Sequence, residues 1–273
     1  IMLGSALNMT FMDFFWYHGR PSIFFAVELG ALLSAAIIYV LFRKEKASVH
    51  GFGQMTQVSD YMPTFLLGGM VVLLICASFA PDSWNLPPET NGIICCALLL
   101  IGLIYSAVRK KTVKAVLGPL NAIDFETLGL LVGLFLMIGG ITHEGVIDAL
   151  AHLLVELGGG NLFLMYTLIV WASVLISAFI DNIPYVATMI PVIAGIAAEM
   201  GVDSTALYFG LLSGATLGGN CTPIGASANI AGIGILRKEG YQVANKDFFR
   251  IGIPFTMAAV IPAYIFIWLV FGV

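Results

Sequence analysis

The sequence predicts an all-α polytopic membrane protein, and three observations lead to that class. Of the 273 residues, 59% are hydrophobic and only 10% are charged, whereas an ordinary soluble domain is about 25% charged. The mean hydropathy of +0.98 means that most of the apolar surface must face lipid or other membrane helices. Several apolar runs are also long enough to cross about 30 Å of hydrocarbon at about 1.5 Å per residue. A soluble enzyme is therefore excluded.

Five apolar runs predict complete transmembrane helices. They lie at residues 22–42, 63–80, 91–108, 125–141 and 251–272. Two further apolar stretches, 161–199 and 205–236, are interrupted near their centres by polar residues, glycine and proline. Irregular backbone at membrane depth is tolerated only where it is buried in protein or lines a cavity. We therefore predict a re-entrant helical hairpin over 161–199 and a broken transmembrane helix over 205–236.

Positive charge orients these spans, because short cytoplasmic loops contain an excess of Lys and Arg. Eleven of the twelve Lys and Arg residues fall in three loops, which we predict to be cytoplasmic: 43–62, 109–124 and 237–250. The segments 81–90 and 142–160 contain acidic residues but no Lys or Arg, and we predict that they lie outside, as does the C-terminus. Arg20 is the exception, since it falls on the predicted outer side.

Charge and cysteine content narrow the kinds of partner. The formal net charge is −4 and the sequence has no basic stripe, so nucleic acid is not expected as a partner. The four cysteines have no CxxC or Cys/His spacing, and the sequence contains neither a GxxxxGK[ST] motif nor a nucleophile and base pair. We therefore expect no enzyme activity, no cofactor and no structural metal. The expected partners are the lipid bilayer, a transported ion or small solute, and a second copy of the chain in a homodimer.

A short motif recurs near both ends of the chain. Met12-Asp13-Phe14-Phe15, followed by Pro21, is echoed by Lys246-Asp247-Phe248-Phe249, followed by Pro254. Each copy lies between a short apolar run and a full span, and the predicted orientation places the copies on opposite sides of the membrane. Such an arrangement is typical of an inverted repeat. The alternative is a chance match, in which Asp-Phe-Phe is only an interfacial anchor.

The repeat hypothesis predicts three parts of the chain. Residues 1–43 would be the end of a first repeat, with the back half of a broken helix and one span. Residues 44–62 would be a cytoplasmic linker, and 63–273 the second repeat. Within the second repeat, apolar residues with helical spacing over 143–157 predict an interfacial helix. The chain begins at Ile1 without the basic region of a signal peptide, so we expect an N-terminal repeat of a longer protein to precede it.

Asp181 is the strongest candidate for a functional side chain. A carboxylate at membrane depth is costly, so it is normally paired or placed in a polar cavity. Asp181 lies at a helix break with Asn182 and Pro184, where unwound backbone leaves carbonyl groups for a cation. The alternative is that Asp181 only caps the returning helix. Glu28 is a second candidate proton or ion carrier. The alternative interpretation is that its side chain snorkels to the membrane surface or pairs with a group outside this chain.

The second break contains residues that do not suit a lipid-facing helix. The helix is expected to break at Gly218, Gly219 and Pro223, as it breaks at Pro184 in the hairpin. The candidate ion- or substrate-binding residues of both breaks offer side-chain or backbone oxygens; they are Ser177, Asp181, Asn182, Thr188, Asn220, Thr222, Gly225, Ser227 and Asn229. A transported Na⁺ would contact Asp181, Asn182, Thr222 and Asn229. The alternative is a glycine-rich packing kink.

Two stretches contain the pattern of a known family: SAFIDNIPYVATMIP at 177–191 and GGNCTPIGASAN at 218–229. They resemble the ArsB/NhaD permeases of the ion transporter superfamily, a citrate-transporter-like domain, and within it the branch of the melanosomal P protein and its bacterial relatives. The resemblance runs from about residue 125 to the C-terminus, so it concerns the C-terminal half of that fold. It implies two inverted repeats, each with a hairpin and a broken helix whose tips meet at the ion and substrate site and move as an elevator-like domain.

The hairpin tip of that family corresponds here to Asp181-Asn182-Ile183. In the dicarboxylate-carrying relatives the tip reads Ser-Asn-Thr, so Asp181 takes the place of the serine. An ionised carboxylate repels an anionic substrate in a low-dielectric site but favours Na⁺ or a proton. We therefore expect a secondary active transporter of the Na⁺/H⁺ antiport type in a bacterial inner or plasma membrane. The alternatives are an arsenite or antimonite permease, an organic-anion permease for dicarboxylates or citrate, and a passive anion channel.

Overall fold

The protein is almost entirely helical in a computed structural model, which describes residues 2–7, 9–45, 60–80, 87, 89–110, 118, 120 and 125–272. The main α-helices, in chain order, are α1 (Met2–Ala6), α2 (Ile23–Phe42), α3 (Met62–Ser78), α4 (Thr90–Lys110), α5 (Phe125–His143), α6 (Val146–Gly158), α7 (Leu162–Ser177), α8 (Asn182–Met200), α9 (Thr205–Gly218), α10 (Ser227–Lys238) and α11 (Asn245–Phe271). Two 3₁₀ turns, Met12–Phe14 and Gly219–Cys221, and an antiparallel pair of short strands, β1 (Trp16–Tyr17) and β2 (Arg20–Pro21), lie between them. The all-α class is confirmed.

Among the described residues, four helices are long and apolar enough to cross a membrane: α2, α4 as far as Arg109, α8 and α11. This agrees with an integral, multi-pass membrane protein. The helices α2 to α5 each overlap a predicted span. The last helix begins at Asn245 rather than at 251, because a first helical turn accepts polar and acidic residues such as Asp247 outside the apolar run.

Both predicted interruptions are helix breaks in the structure. Residues 178–181 separate the end of α7 from the start of α8. After α9 ends at Gly218, the chain forms the 3₁₀ turn and a short loop before α10 begins at Ser227. The re-entrant path of α7 and α8 through a membrane stays a prediction, since α8 alone is long enough to span one.

A sharp bend separates α5 from α6. The direction of the helix changes by 77° between Phe135–His143 and Val146–Gly158. Gly145 lies at the bend with φ of +72°, a left-handed conformation that glycine adopts without steric cost. This change of direction is what an interfacial helix at 143–157 requires, but the position of α6 at a membrane surface stays a prediction.

The chain divides into two compact units. They are Ile1–Leu7 with Phe14–Lys46 and Leu131–Val273, and Asn8–Asp13 with Ala47–Leu130. The predicted division into 1–43, 44–62 and 63–273 concerns repeat symmetry rather than packing, so it stays a prediction. Most of its linker lies outside the described residues.

Helix α9 is the centre of the first unit. Almost every residue from Thr205 to Ala215 is buried, as expected of an apolar helix that other elements surround. Helices α7, α8 and α11 pack against it, while α2 packs on α11 and α6 packs on α8. The largest fully buried side chains include Tyr166 and Phe209, so the core lies around α9.

Glycines bring α7 and α9 into backbone contact. Gly210, Gly214 and Gly218 lie four residues apart on α9 and face α7. A β-carbon at Gly214 would lie 2.5 Å from the Val170 carbonyl oxygen, and one at Gly218 would lie 2.6 Å from that of Val174. Because both contacts advance by one turn along each helix, α7 and α9 run parallel and end at the same level. Close backbone packing of this kind drives helix association in lipid.

Helices α2 and α11 run antiparallel. The Ser34 hydroxyl donates a hydrogen bond to the Phe255 carbonyl oxygen at 3.0 Å. Gly30 lies one turn before Ser34 in α2, and Ala259 lies one turn after Phe255 in α11. A β-carbon at Gly30 would lie 3.1 Å from the carbonyl oxygen of Ala259. The start of α2 therefore lies beside the end of α11.

Arg20, the basic residue on the predicted outer side, has a local role in this arrangement. Its guanidinium donates a hydrogen bond to the carbonyl oxygen of Val270, near the C-terminus of α11. A cation at a helix C-terminus is favourable, because unsatisfied carbonyl groups give that end a partial negative charge. The contact gives a structural reason for the one exception to the charge pattern.

In the second unit, α3 packs against α4. Asp60, just before α3, forms an ion pair with Arg109 near the end of α4, with 3.0 Å between Oδ2 and Nη1. The side chain of Leu66 lies close to Gly102, where a β-carbon would be 3.1 Å from its Cδ1. The two helices are therefore antiparallel.

Candidate functional site

The two helix breaks lie against each other. The Thr222 hydroxyl of the second break donates a hydrogen bond to the Ala178 carbonyl oxygen of the first. Ser227, at the start of α10, donates from Oγ to Asp181 Oδ2 at 2.5 Å, although the two residues are 46 positions apart. The structure therefore brings together the two segments that the sequence singled out.

The meeting of the two breaks follows from the parallel packing of α7 and α9. Because these helices end at the same level, the breaks that follow them begin side by side. Helices α8 and α10 then start from the same place. Two helix C-termini, with partial negative charge, and two helix N-termini, with partial positive charge, therefore meet at one site.

Glycine allows the second break to fold tightly against the first. A β-carbon at Gly225 would lie 2.6 Å from the Gly219 carbonyl oxygen and 2.7 Å from that of Ala178. A β-carbon at Gly219 would lie 2.8 Å from the Gly225 carbonyl oxygen. Neither glycine can be replaced without a shift of the backbone, so these contacts fix the positions of three carbonyl groups.

Asp181 joins the starts of two helices. Its Oδ1 accepts a hydrogen bond from the Ile183 backbone N–H at 3.2 Å, which caps α8. Its Oδ2 accepts the Ser227 hydroxyl of α10, and the side chain is half-buried. The carboxylate is thus a helix cap and also a link between the two breaks, so the capping and functional interpretations are compatible.

Asn229 holds the backbone of the second break. Its Nδ2 donates hydrogen bonds to the carbonyl oxygens of Gly219 and Thr222, both at 3.0 Å. Within the described residues, the side chains of Asn182 and Asn220 have no hydrogen-bond partner. Their amide oxygens are therefore available to a ligand.

Comparison with known families relates this geometry to a class of protein. The family model CitMHS, described as citrate transporter, matches residues 1–214, which is most of the chain. This chain belongs to the CitMHS citrate transporter family. The match begins at residue 1, so the family resemblance is wider than the stretch from residue 125 onward. The narrower ArsB/NhaD assignment stays a proposal.

Individual relatives of this CitMHS protein extend the match through the second break. An uncharacterized transporter of Mycobacterium bovis, Mb2703, is 30% identical over 272 residues, which cover 98% of this chain and 61% of the relative. The transporter slr0753 of Synechocystis is 26% identical over 302 residues, with 99% of this chain and 63% of the relative covered. The human P protein is 37% identical over 142 residues, or 50% of this chain and 17% of the P protein. No solved structure matches the chain.

This CitMHS chain spans about three fifths of the length of the mycobacterial transporters that it matches. The activity and substrates of a whole transporter are for that reason proposals here.

Three predicted site residues lie away from the contact between the breaks. Ser177 is buried and donates to the Ala215 carbonyl oxygen, so it ties α7 to α9. Thr188 donates to the Pro184 carbonyl oxygen one turn earlier in α8, at 2.9 Å. Glu28 is exposed on α2, and no contact among the described residues joins it to either break.

Two of the four predicted helix-breaking residues are helical. Gly218 is the last residue of α9 and packs against α7 instead of breaking the helix. Pro184 is the third residue of α8, where an amide hydrogen has no intrahelical acceptor and a proline removes no bond. The second break itself contains Gly219 and Pro223.

Sequence reasoning missed two backbone contributions to the site. The Ala178 carbonyl oxygen accepts the Thr222 hydroxyl and lies against Gly225. Gly252 of α11 lies against the Asn220 carbonyl oxygen, where a β-carbon would be 2.6 Å away. A carbonyl group is present in every residue, and the chain has 30 glycines, so nothing in the sequence distinguishes these positions.

Proposed function

We propose that this chain contains one half-site of a secondary active transporter that exchanges protons for a cation, of the Na⁺/H⁺ type, at Asp181. The observation that supports this most directly is the Asp181 carboxylate, which bonds to the starts of both α8 and α10. An ionisable group in a membrane protein that joins two broken helices changes its charge and its contacts together. Binding of a proton or a cation would therefore alter the link between the two breaks.

The surrounding oxygens favour a cation. The carbonyl groups of Ala178, Gly219 and Thr222 lie at the contact between the breaks, and the C-termini of α7 and α9 add partial negative charge. These carbonyl oxygens accept hydrogen bonds from the Thr222 hydroxyl and the Asn229 amide. Because carbonyl oxygens can replace the hydration shell of an ion, a bound cation would compete with these two donors. The proposed Na⁺ ligands are Asp181, Asn182, Thr222 and Asn229.

An organic-anion permease is the second candidate, and two observations favour it. The family description is citrate transporter, and the N-termini of α8 and α10 present amide groups that favour carboxylates. Asp181 already places a carboxylate at these N-termini. Two like charges about 4 Å apart repel by about 4 kcal/mol at an effective dielectric constant of about 20. A citrate-like substrate would therefore bind only with Asp181 protonated or with a cation between the two carboxylates.

The inverted-repeat hypothesis gains support from α2 and α11. Pro21 and Pro254 are 233 positions apart in the sequence. Each of the four buried residues of α2 also has, 233 positions later, a buried residue of α11. The pairs are Ile23 with Thr256, Ala26 with Ala259, Gly30 with Ala263 and Ser34 with Ile267. Antiparallel equivalent helices are expected in such a repeat. The motif copies differ locally, since Met12–Phe14 is a 3₁₀ turn and Lys246 to Phe249 lie at the start of α11.

We further propose that residues 63–273 form the second repeat and that a preceding repeat completes the site. Glu28, on the exposed part of α2, would then be a further proton or ion carrier beside that missing half. The loops 43–62, 109–124 and 237–250 would face the cytoplasm of a bacterial cell.

The test is dissipation of a pH gradient in vesicles that contain the full-length transporter, with Na⁺, Li⁺, K⁺, arsenite and citrate added in turn. We expect Na⁺ or Li⁺ to dissipate the pH gradient, and we expect Asp181→Asn to reduce this response at least tenfold. Asp203→Asn is a matched control, because Asp203 also caps a helix, accepting the Thr205 N–H at 2.8 Å, but lies outside both breaks. The control should keep the response.

The other outcomes decide between the alternatives. Uptake of citrate or arsenite without a cation response would overturn antiport and support a permease. Ion flow that neither saturates nor dissipates the proton gradient would indicate a channel. An equal loss in both variants would reduce Asp181 to a helix cap.

A further inference from the structure

A second site lies between α3 and α4, in the compact unit that does not contain the two helix breaks. A cavity of about 280 Å³ opens at the end of the pair where α3 begins and α4 ends. Its floor is apolar and includes Leu66 of α3 with Leu99 and Leu103 of α4. Its rim contains Asp60, Tyr105 and Arg109. The site therefore combines an apolar interior with a polar, charged entrance.

The rim holds the Arg109 guanidinium in a fixed position. Arg109 Nη1 lies 3.0 Å from Asp60 Oδ2 and also donates to the Tyr105 hydroxyl. The Tyr105 hydroxyl donates to Asp60 Oδ1 at 3.2 Å, and the guanidinium lies over the Tyr105 ring, 5.6 Å from its centroid. A guanidinium has five N–H donors. The Asp60 and Tyr105 contacts are both made by Nη1, so they orient the donors on Nε and Nη2.

The charge of the sequence at the end of α4 favours an anion. Arg109 is followed in the sequence by Lys110, Lys111 and Lys114, whereas Asp60 supplies one negative charge at the rim. The sequence from Arg109 to Lys114 therefore contains four basic residues and no acidic one. The same segment belongs to a predicted cytoplasmic loop, where the membrane surface contains anionic lipids and basic pockets between helices bind their headgroups.

We propose that this cavity binds one anionic phospholipid, with an acyl chain on the leucine floor and the phosphate at Arg109. An arginine fork suits phosphate geometry better than a lysine point charge. The apolar volume accounts for a lipid rather than a soluble anion, since a free phosphate would gain nothing from the leucine side chains. This site shares no residue with the proposed transport site, and the proposal does not rest on Asp181.

The experiment is native mass spectrometry of the full-length transporter in detergent, titrated with phosphatidylglycerol and, separately, with phosphatidylcholine. We expect phosphatidylglycerol to be retained preferentially and Arg109→Gln to weaken its binding at least tenfold. Arg43→Gln is the matched control, because Arg43 also follows a membrane helix as an exposed arginine but is not among the residues that line this cavity. The control should change binding less than twofold.

Two further variants separate the parts of the site. Leu103→Trp fills the cavity without a change of charge and should also weaken binding about tenfold. Asp60→Asn removes the counter-charge and should keep or strengthen binding, which distinguishes loss of a ligand from loss of the fold. Equal losses of phosphatidylglycerol binding in Arg109→Gln and Arg43→Gln would overturn the proposal. They would show that basic residues attract the lipid without a specific site. Unchanged binding in Leu103→Trp, or displacement by soluble glycerol phosphate, would overturn the role of the cavity.

Discussion

In the α7–α9 pair three glycines let two backbones touch, whereas in the α3–α4 pair the contacts are between side chains and include an ion pair at one end. The glycine contacts fix the position of each helix to within a turn, and the two breaks meet where the pair ends. The side-chain contacts leave a cavity between α3 and α4. The comparison indicates that backbone contact holds the two breaks together in the α7–α9 pair. Side-chain contact leaves room for a cavity in the α3–α4 pair.

The largest effect is expected from an added methyl group in the glycine contact. In Gly214→Ala the new β-carbon would lie 2.5 Å from the Val170 carbonyl oxygen and 2.8 Å from Ser173 Cβ. Overpacking against backbone costs about 3 kcal/mol, so we expect a large fall in the melting temperature of the purified transporter and loss of transport.

The same substitution in α3 should have the opposite sign. A β-carbon at Gly68 would have no neighbour within 4 Å, so Gly68→Ala should stabilise the helix by roughly 0.5 kcal/mol through its backbone entropy. Equal melting temperatures for Gly214→Ala and Gly68→Ala would contradict the comparison, since they would show that α7 and α9 can separate without cost.

A smaller effect is expected at the point where the breaks are joined. Ser227→Ala removes the hydroxyl that bonds to Asp181 Oδ2, and a hydrogen bond to a charged group is worth about 1.5 kcal/mol. We expect a modest loss of stability together with altered cation dependence of transport in vesicles.

Ser204→Ala is the matched control for this prediction. Ser204 also lies at the start of a helix, but its side chain forms no capping hydrogen bond, so the substitution should change neither quantity. If Ser227→Ala lowered stability and left transport unchanged, the bond between Ser227 and Asp181 would be structural only.

The comparison also explains how far the sequence could predict this molecule. Apolar length and charge asymmetry located the helices, and polar residues within apolar runs located both breaks, because each is a local property. The packing of Gly218 could not be predicted, since a glycine that ends a helix and one that packs against a neighbour look the same until the partner, Val174, is known. Nothing in the sequence indicated that the Ala178 carbonyl oxygen would contact the second break. The proposed half-site depends on such backbone groups, so the sequence could predict the two breaks but not the carbonyl oxygens between them.

The cluster at the rim of the α3–α4 cavity could not be predicted either. Asp60 and Arg109 lie 49 positions apart in a sequence with few charges, and only the antiparallel packing of the two helices brings them together. Tyr105 joins them because it lies one helical turn before Arg109. From the sequence alone, Arg109 is only the first residue of a predicted cytoplasmic loop.

The smallest effect is expected from acid, and it should concern α3 and α4 rather than the glycine contact. The Met62 backbone N–H, with the Arg109 guanidinium and the Tyr105 hydroxyl, holds the pKa of the Asp60 carboxyl below its ordinary value. A carboxylate whose pKa is lower in the folded state stabilises the fold above its unfolded pKa of about 3.9. That contribution is lost as the pH falls through the folded-state pKa.

We therefore expect the melting temperature to fall slightly more between pH 5 and pH 3 in the wild type than in Asp60→Asn. The difference should shrink in high salt, because the ion pair between Asp60 and Arg109 is exposed. Arg109→Gln should show an intermediate profile, since the Met62 bond remains. Identical profiles in all three proteins would mean that the ion pair contributes nothing measurable, and that packing such as Leu66 against Gly102 holds α3 to α4.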